Sequence, residues 1–129
     1  MTEFIAVISA KGGVGKTTSS INLALALNHF GANTLLVDCD FTSANVGTSL
    51  GVPPAVKNLQ GAMNSCYPIT EAIHTHSSGL EVIPGSISYE DIKNKPCNVT
   101  LKLKSVNIPK NKKKLYYNLE IINIALLNN

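Results

Sequence analysis

The sequence predicts an α/β fold, a parallel sheet flanked by helices. Two observations carry that expectation. A short β-branched apolar run, Phe4 to Ser9, ends in a glycine-rich turn and is followed by helical periodicity. A second apolar run, Thr34 to Val37, then closes on an acid, Asp38. Strand, loop, helix and strand in that order open a right-handed βαβ unit. At 129 residues, 44% of them apolar and 15% charged, the chain suffices for one domain with a buried core.

Each element has its own signature. Phe4 to Ser9, apolar and bounded by a turn, reads as a buried parallel strand. In Thr17 to Phe30 the residues Ile21, Leu23, Ala24, Leu25, Leu27 and Phe30 recur at helical spacing, and Gly31 supplies the stop. His29, near that end, suits the negative pole of the helix. Residues 39–52 read as a loop, and Pro53-Pro54 breaks the chain again. Val56 to Met63 and Ile69 to His74 are short helical candidates, and Leu80 to Pro84 is a third strand. Ser86 to Lys93 starts another helix, with Ser88 and Asp91 in capping-box-like spacing.

Beyond Asn94 the texture changes. Residues 1–92 hold seven acids against three lysines, a net of −4, whereas residues 93–129 hold eight lysines against Glu120, a net of +7. No arginine occurs anywhere. The chain therefore divides into a region 1–93 and a Lys/Asn-rich tail 94–129. Val99, Leu101 and Leu103 alternate with polar residues as an exposed strand does. Leu115 to Leu127 stays open between two states. Leu115, Leu119, Ile122 and Leu126 would line a helix face, while Ile121, Ile122 and Ile124 favour a strand. Lys110 to Lys114 before Leu115-Tyr116-Tyr117 offers a basic contact to a membrane or nucleic acid, with a solvated tail as the plainer reading.

Several function classes find no support. There is no run of eighteen apolar residues and no basic leader, so neither a transmembrane helix nor a signal peptide is expected. Cys39, Cys66 and Cys97 form no C-x-x-C pair, which argues against zinc and iron–sulfur sites and fits a cytoplasmic protein. His74 and His76 lack a third ligand nearby and read as surface histidines. No motif for sequence-specific nucleic-acid binding is visible.

The chemistry is concentrated in Lys11-Gly12-Gly13-Val14-Gly15-Lys16-Thr17-Thr18. A phosphate needs many donors at short range. Glycine backbone supplies N–H groups with no side chain in the way, and the following helix adds its N-terminal dipole. Lys16 is spaced to reach β- and γ-phosphates, Thr17 to bind Mg²⁺ through its hydroxyl, and Thr18 to add a hydroxyl to the α-phosphate. The P-loop pattern is met with Ala10 in its first position. A dinucleotide fingerprint would need a third glycine at Thr18, and the loop lysine favours a nucleoside triphosphate.

This segment resembles the signature-lysine (deviant Walker A) loop of the ParA/MinD ATPases, more closely the MinD branch. The resemblance covers about residues 1–93 and includes Thr34 to Gly47, Leu50-Gly51, Asn58-Leu59, Ile69 to Ile73 and Gly79 to Ser86. It implies a P-loop NTPase-like sheet, ATP and Mg²⁺ as cofactors, and ATPase activity. It makes Lys11 the signature lysine, which reaches a partner's phosphates across a nucleotide-sandwich homodimer. It places Asp38 near the metal shell, beside the P-loop strand, and gives Asp40 the hydrolytic water. It also implies a nucleotide-switched role in division-site placement or partition, with peripheral contact to a membrane, or to DNA through a partner.

The resemblance breaks where the family has an apolar strand ending in Asp-x-Pro. The apolar run of the tail ends in Leu127-Asn128-Asn129, with neither acid nor proline. A compact variant with a divergent C-terminal half would account for this. So would a truncated or frame-disrupted member that binds nucleotide weakly without hydrolysis. The charge switch, the Lys/Asn richness and the lost motif favour the second, a truncated or frame-disrupted member, and with it a truncated sheet.

Overall fold

A computed structural model describes residues 2–54, 57–64, 66–86 and 121–128. The strand–loop–helix–strand opening is present as β1 (Thr2–Ile8), α1 (Lys16–His29) and β2 (Asn33–Asp38). Gly31, at φ 89°, takes the left-handed turn that stops α1, and His29 lies in the last helical turn. The loop expected over 39–52 contains a single helical turn, α2 (Val46–Ser49). The first short helical candidate is α3 (Leu59–Met63), whose cap Asn58 accepts a bond from the Gly61 N–H at 2.9 Å.

The second helical candidate, Ile69 to His74, is helical only as a 3-10 turn, Ile69–Ala72. Ile73 is extended, at φ −79° and ψ 123°, and leads into β3 (His74–Thr75). Pairing of β3 with β4 (Glu81–Ile83) outweighs continuation of a short helix. The helix expected over Ser86 to Lys93, the strand around Val99 to Leu103 and the Lys110 to Lys114 run lie beyond the described residues, apart from Ser86 itself.

The sheet order is β1-β5-β2-β4-β3, with β5 formed by Ile121–Asn128. The open question over Leu115 to Leu127 is thus answered as strand for its second half, as the Ile121-Ile122 and Ile124 cluster favours. β2 and β4 are parallel, but β5 is antiparallel to both β1 and β2, and β3 is antiparallel to β4. The sheet is therefore mixed, not wholly parallel as expected. β2 also does not lie directly beside β1, because β5 stands between them.

Successive residues of a strand face opposite sides of the sheet, and the core divides accordingly. Leu36 and Val82 join Ile21, Ala24, Val46 and Leu80 under α1 and α2. Val37 and Ile83 join Cys39, Leu59 and Ala72 on the other side, under α3 and the 3-10 turn. Leu36, Val46, Leu80 and Val82 are fully buried. Each such side chain contributes about 1.5–3 kcal/mol on leaving water. Among the described residues, no helix is long and apolar enough to cross a membrane.

Candidate phosphate-binding site

β1 delivers the chain into the glycine loop, and α1 starts directly after it at Lys16. Gly13 and Gly15 adopt φ of 71° and 89°, the left-handed region that other residues rarely enter. An added Cβ at Gly12, Gly13 or Gly15 would meet nothing within 4 Å. The space over the loop is open for a ligand to approach the backbone. It forms a cleft of about 420 Å³ lined by Gly12, Gly13, Gly15, Lys16, Thr17, Thr18, Asp40, Ser43 and Asn45.

Lys16 is buried, and its ammonium donates to the Lys11 carbonyl at 2.9 Å. Ser9 Oγ accepts from the Lys11 N–H at 3.1 Å and closes the start of the loop. Ser20 Oγ donates to the Lys16 carbonyl at 2.9 Å, within the helix.

Two carboxylates stand on the opposite side, Asp40 lining the cleft and Asp38 buried behind it. Asp38, at the end of β2, is 1% exposed; its oxygens accept the N–H groups of Asp40 at 3.0 Å and Val46 at 3.1 Å. Burial pushes its carboxyl up to about 6, an effect that these backbone bonds partly offset. Gly85 packs closely beneath it, since a Cβ there would lie 3.3 Å from the Asp38 carboxyl carbon and 2.6 Å from the Ala44 Cβ. Asp40 faces the cleft, and its Oδ1 accepts from Thr42 N, Thr42 Oγ1 and Ser43 N at 2.8–2.9 Å. Cys39, between the two acids, is buried on the far side of the sheet, and burial holds its thiol up at about 12.

Of the residues the sequence singles out, Gly12, Gly13, Gly15, Lys16, Thr17, Thr18 and Asp40 come together around the cleft. Lys11 and Val14 are exposed on the loop outside its wall, and Asp38 lies behind it, bound to backbone. Ser43, Asn45 and Gly85 are site residues that the sequence reading misses. The turn-forming Asp40-x-Thr42-Ser43 spacing is the signal that marks Ser43, and nothing local marks Gly85. His74 Nε2 is 2.7 Å from the Lys57 carbonyl and His76 Nδ1 2.8 Å from Ser78 Oγ.

The residues fit a magnesium nucleotide. Open glycine backbone at a helix N-terminus and an ammonium suit phosphate oxygens. The Thr17 hydroxyl, at the cleft, is a hard oxygen donor of the kind Mg²⁺ takes, whereas the Asp38 oxygens, expected near the metal, are engaged by the Asp40 and Val46 N–H groups.

A family model described as an AAA domain matches residues 2–122. The fold resembles that of the septum site-determining protein MinD from Pyrococcus horikoshii, solved with Mg-ADP, with a TM-score of 0.63 and 33% identity. The chain belongs to the ParA/MinD family of P-loop ATPases. The likeness to MinD covers 67% of this chain and 36% of that one. An uncharacterized ATP-binding protein of Methanocaldococcus jannaschii is 37% identical over 89 residues, which is 69% of this chain and 34% of the relative. The chromosome partitioning protein ParA of Caulobacter vibrioides is 39% identical over 83 residues, 62% of this chain and 31% of the relative. The chain spans about a third of the length of these relatives. The family match runs past residue 93, where the charge changes, to residue 122.

Proposed function

We propose that this chain binds Mg-ATP in the cleft over Gly12 to Thr18 and belongs to a nucleotide-switched system for division-site placement or partition. The single observation that carries the reading is the Lys16 ammonium, buried at the mouth of an open glycine loop and already turned onto the loop backbone. Support also comes from MinD of P. horikoshii, a family member solved with Mg-ADP.

In this reading Gly12, Gly13 and Gly15 offer backbone N–H groups to the phosphates, and Lys16 adds its charge to the terminal ones. Thr18 contributes a hydroxyl. Thr17 holds Mg²⁺, with Asp38 setting the metal's surroundings through the loop that it ties down. The bound metal would neutralise phosphate charge. Asp40, turned to the cleft, orients water. Lys11, exposed on the loop, is free to reach a second copy's phosphates, which makes the active species a homodimer. A membrane surface, or DNA through a partner, is the expected station of that dimer.

A specific observation favours a second reading, nucleotide binding without turnover. β5 lies between the two strands that carry the site, and its residues, Ile121–Asn128, include no acid. Titration with Mg-ATP together with a hydrolysis assay decides between them. Turnover that disappears in Lys16→Ala removes the second reading. Binding with no turnover at any protein concentration removes the first as an ATPase, and absence of binding removes both.

A further inference from the structure

The two walls of the cleft come from strands that do not touch. The glycine loop follows β1 and Asp40 follows β2, and β5 is hydrogen-bonded to both. Among the described residues, every register partner of β1, from Thr2↔Asn128 to Ile8↔Ile121, lies in β5. At the mouth of the site one residue, Asn123, is opposite both Val7 of β1 and Asp38 of β2. Neighbouring strands are about 4.8 Å apart, so β5 holds the two walls roughly 9.6 Å from each other. The β1–β5 register slips between Val7 and Ile8, which leaves Ile122 as the extra residue of a bulge where β1 turns into the loop. Such bulges bend a strand and redirect the chain around them. α1, which starts from the same loop, packs on β1, β5 and β2 together.

We propose that β5 is the positioning strand of the nucleotide site, so that docking of the C-terminal strand and occupancy of the loop by nucleotide are coupled. The physical reason is connectivity. With β5 in place, β1 is part of the sheet and the loop faces Asp40 at a set distance. With β5 out, β1 has no ladder to β2 among the described residues, and the loop is tethered through α1 alone. Nucleotide that needs both walls binds the docked form better, and by linkage it must hold β5 in the sheet to the same degree.

The inference rests on the reading that the cleft takes Mg-nucleotide, and hydrogen exchange on the whole chain tests the two separately. The probe is adenylyl-imidodiphosphate with Mg²⁺. Saturation is expected to slow exchange of the 121–128 and 2–8 amides at least about fivefold, the low end of ordinary couplings. Glu81–Ile83 of β4 should slow less. Ala125→Pro, in the middle of β5 opposite Ile5 and Leu36, removes a ladder donor from a central strand and should weaken binding by a similar factor. Equal slowing of β4 and β5, or full affinity in a folded Ala125→Pro, overturns the proposal. If wild type binds no nucleotide, the functional reading falls, and the strand is then judged without ligand. In that case the coupling falls with the reading; loss of β1 protection in Ala125→Pro with β4 still protected upholds only the placing of β1 by β5, and retained β1 protection sinks that as well. Should Ala125→Pro fail to fold, the wild-type exchange pattern decides alone.

Discussion

The ammonium of Lys16 donates to the carbonyl oxygen of Lys11 at 2.9 Å, which bends the side chain back over the loop that precedes it. The charge is therefore held by the loop itself near the place proposed for the phosphates, and loses little freedom if an anion arrives there. Lys16→Ala is expected to lower Mg-ATP affinity roughly tenfold to a hundredfold, the value of one charged hydrogen bond. Fluorescent-nucleotide titration measures this. An affinity within twofold of wild type, on the order of 0.4 kcal/mol, would remove Lys16 from the site.

Lys11 makes the opposite prediction. Its carbonyl serves the loop while the residue is exposed and stands apart from the cleft wall. Lys11→Ala keeps that carbonyl, so nucleotide binding by the monomer should stay near wild type. What should disappear is nucleotide-dependent dimerisation, read by sedimentation or light scattering with and without Mg-ATP. A parallel fall in monomer affinity would place Lys11 on its own nucleotide instead of a partner's.

Asp38 links the site to pH. Burial pushes its carboxyl up to about 6 from an ordinary 3.8. Between those values the folded state keeps a proton that the unfolded chain releases, so stability from this group is present below about 4 and is lost as pH rises through 6. The full effect is of order 3 kcal/mol. In metal-free protein, Asp38→Asn should remove this component of the pH slope between about 4 and 6, measured by urea unfolding at several pH values. Parallel slopes for the two proteins would show that Asp38 ionises normally.

Much of the site was legible because its chemistry is local. The glycines, Lys16 and Thr17 are contiguous, and the loop sits where an apolar run meets helical periodicity. Asp38 and Asp40 were legible as acids ending a strand, but the burial of Asp38 behind the cleft that Asp40 lines was not. It depends on the 40–46 loop folding back so that the Val46 N–H reaches Asp38. The mixed sheet was legible only in part. The Ile121-Ile122 and Ile124 cluster favours a strand, yet composition does not set its direction or its slot between β1 and β2. β3 was not legible for a related reason, since two residues become a strand only through pairing, His74 with Val82 and Thr75 with Glu81.

Gly85 gives the most local test of the wall behind the cleft. Its φ is not positive, so the backbone tolerates a side chain and only space forbids one. An added Cβ would lie 2.6 Å from the Ala44 Cβ and 3.4 Å from Asp38 Oδ2. Neither neighbour yields easily, because Ala44 is buried and Asp38 is held by two backbone N–H groups. Gly85→Ala is therefore expected to destabilise by about 1–3 kcal/mol, as overpacking does. If the Cβ–Cβ contact is the cause, Ala44→Gly should restore much of the loss in the double variant, a coupling that a double-mutant cycle isolates. Restored stability should bring restored nucleotide affinity with it, because Ala44 lies between the cleft residues Ser43 and Asn45. A Gly85→Ala protein as stable as wild type, or no coupling with Ala44→Gly, would mean that this wall is looser than the 2.6 Å contact implies.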